Sequence, residues 1–341
     1  MPDCRIYALE DVDQIVALLQ EHMPSPRYSH DYFRWKFSYQ FDHNGQVMRP
    51  IGVVATERDT VIGFAALIPY RLSGTGLLWN LDDVVVHRAH RRLGVFRELM
   101  GFGLAIVDCR REPTYLVSSP SARKAYLSMD FKELFDIDEF FLILRWSELL
   151  GARGKAAGLL GTYLDRVLGR IRHDPACPKL ETQMVESIPA GIECVGQTAG
   201  GWAAFRKDAA FFNWRFSRHP VRRYEVHLLR SDAGVVGYVV LSNGALMDFA
   251  VSDERLYANV FAFSAARSRH TDVPVSNLLM HGPAHVVEQA RRAGYLRSGR
   301  RWLSPGPGSA PTVMVRDAAG AGTTQCWEKL FLRAADIDCG Y

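Results

Sequence analysis

Arg91, Arg92 and Gly94 stand between an apolar run, Leu81 to Val86, and a helical pattern that places Phe96, Leu99, Met100, Leu104 and Val107 at core spacing. A strand that feeds a basic, glycine-bearing turn into a helix leaves several backbone N–H groups unpaired at one spot, with the positive end of the helix behind them. Such a turn can cradle a pyrophosphate. Gly94 has no Cβ to hold an anion away from the backbone, and Arg91 and Arg92 add charge at the rim. Taken alone, the turn fits a phosphate cradle and an ordinary surface helix entry equally well.

Tyr126 is the next residue with chemistry to offer. A phenol of ordinary pKa is protonated at neutral pH and can serve as a proton donor; the plainer alternative is a tyrosine packed on the sheet. A base to complement such an acid is sought in Asp82 and Asp83, on the strand ahead of the basic turn. Successive strand side chains point to opposite faces, so one of these aspartates at most is expected to face an acceptor, and a surface or capping role competes for either. His87 and His90 titrate near neutrality, but their place in a basic loop suits phosphate contact or solvation better.

Two stretches together resemble a known superfamily. Arg91-Arg92-Leu93-Gly94-Val95-Phe96 is similar to motif A of the GNAT N-acetyltransferases, (Arg/Gln)-x-x-Gly-x-(Gly/Ala), with Phe96 standing where Gly or Ala is usual. Ala122 through Phe131 resembles the superfamily pattern Ala-x-x-x-Tyr-x-x-x-Gly-Phe, with Tyr126 at its tyrosine and Asp130 in place of its glycine. The resemblance implies that the amides of Leu93, Gly94, Val95 and Phe96 hold the pyrophosphate of an acyl-coenzyme A. It further implies that Val84, Val85 and Val86 line the pantetheine arm, and that Tyr126 protonates the leaving thiolate.

These residues need a scaffold. A helical pattern at Val12, Ile15, Val16, Leu18 and Leu19 follows a short alternating run, and Ile51–Thr56 with Val61–Tyr70 reads as an antiparallel hairpin. Tyr115–Ser118 reads as a strand, Ser121–Met129 as a helix and Phe140–Leu144 as a further strand. This order predicts an α/β, mixed-sheet domain with helices on both faces.

The second half then echoes the first. Asp31 through Ser38 reads Asp-Tyr-Phe-Arg-Trp-Lys-Phe-Ser, and Ala210 through Ser217 reads Ala-Phe-Phe-Asn-Trp-Arg-Phe-Ser, each ahead of a matching hairpin. Two tandem GNAT-like domains are therefore expected: residues 1–146 with the acyl-CoA site, a helical connector at 147–195 with a proline-bearing stretch from Asp174 to Pro189, and residues 196–341. The second is expected to be degenerate. After Leu246–Val251 its chain reads Ser-Asp-Glu-Arg, with no glycine and with two carboxylates that would repel a pyrophosphate. Trp327–Phe331 reads as a final strand before an acidic tail, Asp336-Ile337-Asp338. The aromatic-basic segments around Trp35 and Trp214 suit core packing better than stacking on a sugar or base.

Composition limits the remaining options. A chain of 341 residues exceeds one ordinary core, and 48% apolar with 23% charged residues is a globular balance. Cys4, Cys109, Cys177, Cys194, Cys326 and Cys339 are scattered without metal-ligand spacing, so no metal is expected. The formal charge of +4 is dispersed, which argues against nucleic acid, and no apolar run approaches the roughly 18 residues of a spanning helix. The expectation is a cytoplasmic protein whose partner is a small-molecule amine, with its oligomeric state open. By resemblance it is an N-acyltransferase moving an acetyl or other short acyl group to a primary amine such as an amino sugar or a nucleotide-linked one. An amino acid, polyamine or antibiotic amine is the rival acceptor, a non-catalytic acyl-CoA sensor or scaffold the rival function, and a transferase using aminoacyl-tRNA a third reading.

Overall fold

A computed structural model describes residues 2–23, 25, 27–73, 76–151, 154–171, 180–186, 188–189, 192, 198–199, 202–298, 311–317, 329–333 and 336. The first half runs β1 (Asp3–Ile6), α1 (Val12–His22), α2 (His30–Phe37), β2 (Phe41–His43), β3 (Gln46–Met48), β4 (Ile51–Glu57), β5 (Thr60–Arg71) and β6 (Leu77–Val86). It continues through α3 (Val95–Asp108), β7 (Thr114–Ser118), α4 (Arg123–Leu127), β8 (Lys132–Asp136) and β9 (Asp138–Ile143). The helices α5 (Trp146–Gly151) and α6 (Lys155–Ile171) then pack on each other. Of the proline-bearing stretch, 174–179 and 187 lie outside the described residues.

The second half runs β10 (Glu181–Val185), β11 (Thr198–Ala199), β12 (Trp202–Ala204), α7 (Ala209–Phe212) with a π-helical turn at Asn213–Ser217, β13 (Glu225–Ser231), β14 (Gly234–Ser242) and β15 (Ala245–Val251). It ends with α8 (Tyr257–Ser268), β16 (Val275–His281), α9 (Ala284–Arg292), β17 (Leu296–Arg297), β18 (Thr312–Arg316) and β19 (Leu330–Arg333). The expected final strand thus forms at its C-terminal end, while Trp327, Ile337 and Asp338 lie outside the described residues.

The first sheet has the order β1-β4-β5-β6-β7-β18-β8 and the second β10-β13-β14-β15-β16-β19-β12-β11, with β9 between β16 and β17. β5 is buried along nearly its whole length, as a central strand covered on both faces must be, and therefore reads as a continuous apolar run. Ile15, Val16, Leu18 and Leu19 of α1 and Leu99, Leu104 and Val107 of α3 supply the helical side of the core.

The halves exchange a strand. β18, from near the end of the chain, pairs antiparallel with both β7 and β8, as in Val315↔Tyr115 and Val315↔Lys132. In return β9, which the sequence reading grouped with the first domain, pairs with β16 over Asp138–Ile143 and with β17. Alternation within a strand identifies its buried face but not its partner, so the sequence pattern alone leaves the exchange hidden.

The repeated segments face each other across the join. Ser29 caps α2 by accepting the Tyr32 amide at 3.1 Å, and Asp208 caps α7 by accepting the Phe211 amide at 2.8 Å. The ring centroids of Trp35 and Trp214 lie 5.0 Å apart with the planes 10° from parallel, and both residues are buried. These tryptophans are core, and neither presents a free face to a sugar.

Candidate active site

β6 and β7 run parallel and pair at Trp79↔Thr114 and Asn80↔Tyr115. Beyond those pairs they part, and a cavity of about 900 Å3 opens between them. Val84, Val85 and Val86 form one wall, Arg91, Arg92, Gly94, Phe96, Arg97 and Glu98 the helix entry, and Ser119, Ser121, Ala122, Ala125, Tyr126, Ser128 and Met129 the other wall. His22 and Met23 close one side. Four predicted site residues do not line the cavity: Asp82 and Asp83 on β6, Leu93, which is exposed, and Val95, which is buried.

Gly94 is the N-cap of α3 at φ 87°, and Arg92 is also left-handed at φ 67°. The Arg97 and Glu98 amides donate to the Gly94 carbonyl at 2.9 and 3.1 Å. The amides just ahead of them are those a helix cannot satisfy internally, which makes them anion donors. A Cβ built at Gly94 meets nothing within 4 Å, so glycine is favoured there by its dihedral angle and by what approaches from the cavity, and packing plays no part. Arg91 is anchored by Nε donating to the Val86 carbonyl at 3.1 Å. The residues present therefore fit a pyrophosphate.

Phe96 lines the cavity and meets the Tyr126 ring edge-on with centroids 5.6 Å apart, so the departure from the Gly/Ala pattern narrows the groove beside the phenol. Tyr126 sits on α4, a shorter helix than the expected Ser121–Met129, and beyond it Asp130 turns left-handed at φ 63°. There Asp130 does what glycine does in the family pattern, and the Phe131 amide closes the turn on the Tyr126 carbonyl at 3.3 Å. Burial pushes the Tyr126 phenol well above its ordinary pKa, and the charge of Asp82 pushes in the same direction.

For the aspartates the expected alternation fails. A β-bulge opposite Ala65 and a left-handed Asp83 at φ 49° turn both carboxylates toward Lys36 of α2. Lys36 Nζ donates to Asp82 Oδ2, and to Asp83 Oδ2 at 2.6 Å. Asp83 also accepts from Tyr28 Oη at 2.8 Å and has Arg27 at 3.4 Å. Lys36, Tyr28 and Arg27 escaped the sequence reading because only the tertiary fold brings α2 to β6. The cavity-lining Ala122 and Met129, by contrast, could have been found from their one-turn spacing around Tyr126.

Among its described residues the second half differs at each corresponding position. The turn that Phe131 closes on Tyr126 is matched by Tyr295, whose amide donates to the Ala290 carbonyl at 3.0 Å, so alanine stands where the phenol would be. At the cradle position Asp253 caps a short 3-10 turn, and the Arg255 guanidinium holds its carboxyl down at a pKa of about 2. Where the first half keeps Lys36 with Asp82 and Asp83, the second buries Lys207, Asp248, Arg333 and Asp336 as one charge-balanced cluster.

The strand order, the parted strands and the helix-entry turn define a tandem GNAT fold with one complete groove. Residues 12–131 match the family model described as Acetyltransferase (GNAT) family. Among solved structures the chain is similar to a probable N-acyltransferase from Enterococcus faecalis V583, at 10% identity and TM-score 0.63, covering 93% of this chain and 72% of that one. A GCN5-related N-acetyltransferase from Anabaena variabilis ATCC 29413 aligns at 9% identity and TM-score 0.62, covering 93% and 73%. A tandem GNAT protein from the clavulanic acid biosynthesis pathway aligns at 15% identity and TM-score 0.54, covering 93% and 99%. At such identities the likeness speaks for the fold. No curated protein matches the chain. The family supports acyl transfer from acyl-CoA to an amine, and among the described residues no helix is long and apolar enough to cross a membrane.

Proposed function

We propose that the first half transfers an acetyl or other short acyl group from acyl-coenzyme A to a primary amine in the groove between β6 and β7. The observation that carries this reading is the convergence of the Gly94 helix entry, the Val84–Val86 wall and the buried Tyr126 phenol on one cavity. The amides of Leu93, Gly94, Val95 and Phe96, with Arg91 and Arg92, hold the pyrophosphate, and Val84, Val85 and Val86 flank the pantetheine arm. The thioester supplies an activated acyl carbon. As the amine forms its C–N bond to that carbon and the C–S bond breaks, Tyr126 Oη delivers its proton to the departing sulfur, and burial keeps that proton in place beforehand. Asp82, 18% exposed where Asp83 is 3%, is the carboxylate that draws the acceptor ammonium and takes its proton. Asp83 holds Lys36 and the bulge in position.

Amino sugars, including nucleotide-linked ones, are the first acceptor class to screen on the strength of the sequence resemblance, ahead of amino acids, polyamines and antibiotic amines. Calorimetric titration with acetyl-CoA, repeated with Gly94→Asp, tests the cofactor half of the reading. Binding by the wild type that the folded variant loses supports it, and no binding of acetyl-CoA or of longer acyl-CoAs by the wild type overturns it.

A further inference from the structure

We propose that Glu21, His22 and His87 form a site for a divalent transition-metal ion of the zinc class, at the edge of the cavity where α1 ends against the β6–α3 loop. Glu21 Oε1 lies 3.4 Å from His22 Nε2 and 3.8 Å from His87 Nε2, and one ligand atom from each residue falls within 4.8 Å of the others. Ligands about 2.0–2.1 Å from a tetrahedral zinc stand roughly 3.4 Å apart, close to the two distances that Glu21 makes here. Two imidazoles and a carboxylate are a zinc-type ligand set, with a fourth position left to water or another ligand.

His22 gives the second observation. Its side chain is 5% exposed, yet its Nε2 is buried and forms no hydrogen bond among the described residues. A buried imidazole nitrogen without a hydrogen bond is costly unless something is meant to meet it. Arg91 and Arg88 act electrostatically on His22 against the opposing pull of Glu21. Arg88 and Arg91 also oppose a cation, so the charge of Glu21 is essential to the site.

His87 is backed by a relay. Its Nδ1 lies 3.3 Å from His90 Nδ1, and His90 Nε2 lies 3.3 Å from the Glu57 carboxylate. With a metal on His87 Nε2, the proton on Nδ1 is donated to His90 Nδ1, and His90 Nε2–H is donated to Glu57. This is the outer-shell pattern that orients a metal-bound histidine. That tautomer gives up the 3.3 Å bond His87 Nδ1 accepts from the Ala89 amide. Since His22 also lines the cavity, an ion here ties the end of α1 to the loop that leads into the Gly94 turn.

The test is independent of acyl transfer. The full chain is stripped with chelator and titrated with Zn2+ by calorimetry and with Co2+ by visible absorption, beside His22→Ala, His87→Ala, Glu21→Gln and His30→Ala, with circular dichroism to check folding. The expected result is one equivalent bound per chain, with affinity reduced by at least roughly tenfold in each of the three ligand variants and unchanged in His30→Ala, whose imidazole meets Asp13 elsewhere. His87 is 32% exposed, so its substitution leaves the fold intact even if His22→Ala does not. Absence of stoichiometric binding, or binding that His87→Ala retains in full, overturns the proposal.

Discussion

Trp35 and Trp214, 179 residues apart in sequence, each donate an indole N–H to the other's backbone carbonyl, at 2.6 and 2.9 Å, while their rings stack. One repeated segment thus supplies both sides of the join, and the two bonds satisfy indole N–H groups that would otherwise be buried without partners. Trp214→Ala removes the ring, its hydrogen bond and the acceptor geometry for Trp35. Chemical denaturation is expected to show a loss of about 3–5 kcal/mol, with the two halves no longer unfolding in one transition.

Lys36 is the only cation bonded to both Asp82 and Asp83 among the contacts described above. Lys36→Met removes the cation that the two carboxylates share, with Arg27 at 3.4 Å from Asp83. Breaking a buried pair by removing one partner costs about 3–5 kcal/mol, which urea titration would register. A loss under 1 kcal/mol would mean that the carboxylates are solvated and the network is not formed.

Tyr126→Phe keeps the ring against Phe96 and removes only the proton donor. Acyl-CoA affinity is expected to stay near wild type while kcat falls roughly a hundredfold to ten-thousandfold, the range of a general acid. The sign of the pH effect follows from the raised phenol pKa. The acid form persists beyond the ordinary value of 10.0, so wild-type activity is not lost through Tyr126 as pH rises from neutral to 10.0. Thiol-release assays across that range check it, and an unchanged kcat in the variant would remove Tyr126 from the chemistry.

Residues 1–146 expressed alone contain β7 and β8 but not β18, the strand between them. This fragment is expected to aggregate or stay partly unfolded and to bind no acyl-CoA, and co-expression with residues 147–341 is expected to restore both properties. A fragment that folds and binds alone would mean that β9 can return to fill the gap.

Much of the site was legible because it is local. The strand, basic turn and helix around Gly94 follow one another in the chain, and so do the helix and left-handed cap around Tyr126, so residue type and spacing carry them. The repeat was legible because it recurs in sequence, and the absence of a second cradle because Asp253 and Glu254 stand where a glycine turn would be. What escaped is tertiary. Nothing local to Asp83 announces a left-handed residue in a strand, and alternation therefore separated two carboxylates that the bulge brings together. Lys36 from α2, and His22 beside His87, meet only once the sheet has formed.

The exchange of β9 for β18 also sets an order of events during synthesis. The groove lies in residues made early, but the strand that closes the sheet behind Tyr115 and Leu116 is residues 312–316, close to the end of the chain. Until the ribosome has made them, β7 and β8 expose unpaired edges, the kind of contact across long sequence separation that slows folding and invites misassociation. The second half thereby acts as a timer: the groove of the first half reaches its final form only after residues 312–316 have been made.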